Sequence, residues 1–88
     1  MAYGDGQPPF LSYASRAVMS VLKGNVMSRK DIFTAIVMHG DSRAFKRILR
    51  PLLNDGYIEM TIPEKPNSKL QKYRLTEKGI LYQQHHPR

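Results

Sequence analysis

Cysteine is absent from the 88 residues. Disulfides and cysteine-bound metals are thereby excluded as staples, and stability has to come from packing. No apolar run approaches transmembrane length. The N-terminus also lacks the basic region and apolar stretch of a signal peptide, so a cytoplasmic location without membrane contact is expected. The phosphate-cradling pattern GxxxxGK(S/T) does not occur. No Ser, His and acidic residue stand in a readable catalytic arrangement. His39 follows an apolar stripe and reads as a cap or surface residue. His85 and His86 adjoin without a third ligand, which does not define a metal site. The chain is therefore read as non-catalytic, with no cofactor and no metal, and with little room for a deep pocket.

Acidic residues are also few. Seven Asp plus Glu stand against 14 Lys plus Arg, a net charge of +7. That balance favours a polyanionic partner, either nucleic acid or an acidic protein surface, although small domains are often basic for solubility alone. Residues 1–40 carry four basic and two acidic groups, whereas residues 41–88 carry ten and five. What the chain has in quantity is apolar side chains, 41% of the total. These suffice for the modest core of one domain.

Two glycines and a Pro-Pro pair make residues 1–11, MAYGDGQPPFL, a flexible lead-in or linker remnant, from which Phe10 and Leu11 can pack back. ASRAVMSVLK, residues 14–23, has helical spacing and stops at Gly24-Asn25. Val26-Met27 is short and extended, and is expected to pair with a later hairpin. Ser28 and Asp31 form a capping box for a second helix over 29–38, with Ile32, Phe33, Ile36 and Val37 buried and Gly40 as its end. Asp41 or Ser42 caps a third helix whose stripe is Phe45, Ile48, Leu49, Leu52 and Leu53. Pro51 lies within that stripe, so this helix is expected to kink at Arg50 or restart. Gly56 closes it.

After Gly56 the period changes to two. Ile58, Met60 and Ile62 alternate with polar residues, and so do Tyr73 and Leu75 on a returning strand. Tyr73 reads as core and Tyr57 as half-exposed. Thr76 caps a short last helix anchored by Ile80 and Leu81, and residues 84–88 form a disordered tail. The fold class is α+β: a winged helix-turn-helix over 12–83, with a three-helix core, a small antiparallel sheet and a short C-terminal helix.

Within this fold the third helix, about 42–55, presents Arg43, Lys46, Arg47 and Arg50 opposite its apolar stripe. The wing, about 62–70, carries Lys65 and Lys69 between restrictive prolines. Basic side chains so placed suit duplex DNA. The plainer readings are a solvated basic helix face and a rigid hairpin that packs on another domain. Glu64 near the wing tip favours the latter.

The stretch from Ser42 to Gly79, above all TIPEKPNSKLQKYRLT, resembles the winged-helix domains that end RecG-like ATP-dependent helicases with a divergent AAA-type, or AlbA-type, ATP-binding domain. It is similar also to the domain ending some bacterial Fic proteins. The resemblance implies a C-terminal module excised from a larger helicase-related or regulatory protein. The ATPase, helicase or nucleotidyl-transfer chemistry of such parents would lie outside this segment. Nor does the chain hold the His-Pro-Phe run and Gly-rich loop of Fic proteins, since its one His-Pro, His86-Pro87, has no such loop after it.

Two functions follow as expectations. The first is duplex DNA binding through the third helix and wing. The second is a docking or oligomerisation module for an upstream domain, with no DNA contact. A monomer or weak homodimer is expected, because the terminal helix through which winged helices often pair is short.

Overall fold

The computed structural model describes residues 11–85. The expected lead-in over 1–10, with Phe10, and residues 86–88 of the expected tail lie outside these.

Helix α1 spans Tyr13–Val21. Ser12 begins it, its hydroxyl accepting from the Ser15 amide at 3.0 Å. Leu11, Val18, Met19 and Leu22 are buried on its inner side. The Ser15 hydroxyl, also buried, donates to the Ile48 carbonyl at 3.0 Å and ties this helix to the third. Gly24 follows the helix with φ of 75°, a left-handed conformation that glycine adopts without steric cost.

Helix α2 spans Arg29–Ala35. Ser28 supplies one half of the predicted capping box, accepting from the Asp31 amide at 3.1 Å. The helix stops three residues before its predicted end. The Val37 amide donates to the Thr34 carbonyl at 3.1 Å and the Met38 amide to the Phe33 carbonyl at 2.9 Å. This is a Schellman ending with Val37 in the position usually held by glycine, at φ of 58°. Val37 is consequently not in the buried stripe but 87% exposed. Gly40 has a different task. Its carbonyl accepts from the Arg29 guanidinium at 3.0 Å, and a Cβ there would lie 2.7 Å from the Phe33 ring.

A β-branched residue in the left-handed region is strained by roughly 1–2 kcal/mol. Val37→Gly is therefore expected to stabilise the fold by about 1 kcal/mol, raising Tm by about 4–8 °C in a domain of this size. Thermal unfolding followed by circular dichroism checks this, and a lowered Tm would mean that Val37 makes an unrecognised contact.

Helix α3 occupies residues 42–54. Asp41 caps it, its carboxylate accepting from the Ala44 amide at 2.9 Å, and that bond holds its pKa below the usual carboxylate value. The helix neither stops nor restarts at Pro51. It passes from α-helical Ser42–Ala44 through π-helical Phe45–Leu49 to α-helical Arg50–Asn54. The Arg50 amide donates five residues back, to Phe45. This wider turn sits where Pro51 removes a backbone donor, and absorbs the disturbance within the helix. Ile48, Leu49 and Leu52 are fully buried, while Phe45 and Leu53 pack against the same core.

Strands β1, Ile58–Met60, and β2, Tyr73–Leu75, are antiparallel, with Ile58 opposite Leu75 and Met60 opposite Tyr73. Met27 joins them, as expected from the short extended segment: it exchanges two backbone hydrogen bonds with Tyr73, at 3.0 and 2.8 Å. Tyr73 is core, and so is Tyr57, which is 2% exposed rather than half-exposed. Burial raises the phenol pKa of both.

The regular ladder ends sooner than the alternation through Ile62 predicts. There the buried Gln71 side chain takes over. Its oxygen accepts from the Ile62 amide at 2.9 Å, and its amide donates to the Ile62 and Lys65 carbonyls. One side chain thus braces the base of the wing.

Helix α4 spans Glu77–His85, so residues 84 and 85 of the expected tail are helical. Thr76 caps it as predicted, accepting from the Gly79 amide at 3.1 Å. Its anchors are not Ile80 and Leu81, which are 46% and 47% exposed. The helix instead turns Gly79, Tyr82 and Gln83 inward. Tyr82 meets Tyr57 edge to face at 5.2 Å between centroids. The whole is a winged helix of three core helices, a small sheet, a wing and a terminal helix. None of the described helices is long and apolar enough to cross a membrane.

Candidate functional site

A groove of about 1380 Å³ opens between α2, α3 and the wing. Phe45, Leu53, Met60 and Met38 give it apolar lining, and Pro63 and Pro66 contribute on the wing side. Phe45 and Leu53 remain half-buried because the stripe of α3 is wider than the core it covers. The wing wall stands where it does because Gln71 holds the loop at Ile62 and Lys65.

Of the six basic residues expected to bind, three line the groove. Lys46 and Arg50 of α3 and Lys69 of the wing line the groove; Arg43, Arg47 and Lys65 do not. All six are exposed. On α3 the two lining residues, Lys46 and Arg50, are four residues apart, and so share one stripe of the helix.

Sequence reasoning missed Arg29 and Lys30, which add charge from the first turn of α2. A signal was present: cations at a helix N-terminus oppose the macrodipole and so are not explained by helix stability. The Arg29 and Arg50 guanidinium carbons lie 4.8 and 5.5 Å from the Phe45 ring centroid, a distance suited to cation–π attraction. Among the described residues the one acidic lining residue, Glu59, is paired with Arg74 at 2.8 Å. Both partners are about half-exposed, so the pair contributes little to stability. Among the described residues no group of three His, Asp or Glu stands close enough to hold a metal.

Fold and groove define a winged-helix module with a concave face of apolar lining and basic rim. Residues 15–76 match the family model described as filamentation induced by cAMP protein Fic-like, C-terminal domain. The chain belongs to this Fic-like C-terminal domain family. Among solved structures it is similar to a Fic family protein from Desulfovibrio desulfuricans G20, with a TM-score of 0.69 and 31% sequence identity over 80% of this chain. The match takes in 22% of that protein, so the chain spans about a fifth of its length. No curated protein matches.

These findings correct three expectations. The likeness to RecG-like, AlbA-type helicases is overturned by the Fic-like family match. The helicase-related function and ATP-binding helicase parent fall with it. Duplex DNA as partner is overturned as well.

Proposed function

We propose that the chain is a non-catalytic accessory domain of a Fic-type protein and supplies a protein-recognition face. Family membership and the open groove with half-buried apolar side chains support this reading. The observation that carries it is the groove itself. Its lining combines apolar side chains with a basic rim, a composition suited to a protein surface. The longer protein's chemistry, the nucleotidyl transfer that the Fic resemblance implies, is assigned to residues outside this module.

The test is deletion of this module from a Fic-type protein that carries it. Turnover of nucleotide without a protein acceptor is expected to persist. The kcat/KM for transfer to a protein acceptor recognised through this face is expected to fall by about tenfold or more, the scale of losing one or more good interface contacts. Loss of nucleotide turnover itself would make the module part of the catalytic fold and overturn the reading.

A further inference from the structure

We infer that the groove between α2, α3 and the wing receives an acidic segment of a partner protein, seated by apolar side chains against Phe45, Leu53 and Met60. The inference rests on the protein-recognition reading and adds the chemistry of the partner. Three observations carry it. The first is charge. Among the described residues, Arg29, Lys30, Lys46, Arg50 and Lys69 line the groove against Glu59 alone, and Glu59 already has its partner in Arg74. An incoming carboxylate therefore meets cations and one neutralised anion, and complementarity of this kind selects acidic partners and repels basic ones.

The second observation is the lining. Phe45, Leu53 and Met60 are half-buried with the domain alone, and Met38 is 36% exposed at the groove. The Phe45 ring already meets the Arg29 and Arg50 guanidinium groups, but a polyanion with no apolar side chains would leave Leu53, Met60 and Met38 without apolar partners. A segment with Leu or Phe among its carboxylates would cover them, as hot-spot anchors do. The third is size: at about 1380 Å³ the open groove exceeds the roughly 300–1,000 Å³ usual for small-molecule sites, which fits a length of chain better than a small ligand.

The test uses the 88-residue chain, isotopically labelled, and a synthetic peptide of about 15 residues in which Glu and Asp are interspersed with Leu and Phe at helical spacing. One control peptide has every Leu and Phe replaced by Ser. A second has every acidic residue replaced by Lys. The first peptide is expected to shift the resonances of Phe45, Leu53, Met60 and Lys46, with both controls at least about tenfold weaker. Lys46→Glu and Arg50→Glu should each weaken binding by about tenfold, whereas Arg43→Glu and Arg47→Glu, outside the groove, should change it by less than about threefold.

Equal binding of the Ser control would reduce the effect to bulk charge and overturn the inference. So would equal sensitivity to Arg43→Glu, or no groove shifts at about millimolar peptide. If the peptide fails while deletion of the module still impairs use of the protein acceptor, the partner chemistry is wrong and the protein-recognition reading stands. If both fail, the reading fails too.

Discussion

Leu52→Ala is expected to destabilise the domain by about 2–5 kcal/mol, the range for a leucine truncated in a packed core. Leu52 has no solvent exposure. It lies on the inner side of α3 with Ile48 and Leu49, and shares its core cluster with Ile58 and Tyr73. Its backbone carbonyl accepts from the Tyr57 amide at 2.9 Å, so the turn from helix to sheet is built on this residue. Relaxation into the space would have to move α3 or the sheet, and α3 is already held to α1 by the bond from Ser15. Small domains have total stabilities near the low end of about 5–15 kcal/mol, so this variant should be largely unfolded at modest urea. Urea unfolding followed by far-ultraviolet circular dichroism reads the change. Leu70→Ala provides the contrast: Leu70 is 74% exposed, and its truncation should fall within about 0.5 kcal/mol of the parent. A loss below about 1 kcal/mol for Leu52→Ala would remove it from the core.

Gly79→Ala should act against its local propensity. In the interior of an exposed helix, glycine to alanine gains about 0.8–1 kcal/mol. At Gly79 the sign reverses. A Cβ at this position would overlap the backbone carbonyl oxygen of Tyr57 and press on the Leu75 side chain. The first of these is backbone and cannot rotate away. It is also fixed in the sheet, because the same carbonyl accepts from the Thr76 amide at 3.0 Å. The expected loss is about 1–3 kcal/mol, as for overpacking elsewhere. Tyr57 and Tyr82 resonances should move with it, since their edge-to-face contact depends on how closely α4 approaches. Stabilisation by Gly79→Ala would show that α4 can move away from Tyr57 without cost.

Most of the elements were readable because their signals are local. Ser28, Asp41 and Thr76 cap helices by accepting from amides three residues on, a reach set within one turn of chain. The change of period after Gly56 marks the hairpin, and the apolar stripe of α3 marks the core face. Val37 departs from the expected buried stripe for an equally physical reason. Gly40 is the residue that local propensity selects as a helix end, yet its missing Cβ serves the Phe33 ring instead. The chain turns at Val37, where the local cost is higher. Pro51 likewise announced a disturbance in α3 without specifying that a π turn would absorb it.

The candidate site was legible only as a list of cations. Arg43, Lys46, Arg47 and Arg50 share a polar surface when α3 is considered alone. Which of them meet Lys69 depends on where the wing stands, and that depends on Gln71 reaching the backbone of Ile62 and Lys65. The contribution of Arg29 and Lys30 depends on how α2 packs beside α3. Composition and periodicity by themselves determined a small winged helix with a basic surplus and no catalytic motif, because capping, spacing and net charge are properties of neighbouring residues. Tertiary structure alone decided that Lys46, Arg50 and Lys69 line one groove with Arg29 and Lys30, that Tyr57 is buried, and that α4 meets the core through Gly79 rather than Ile80 and Leu81. Those outcomes depend on contacts between segments distant in the chain, whose relative rotation no local pattern encodes.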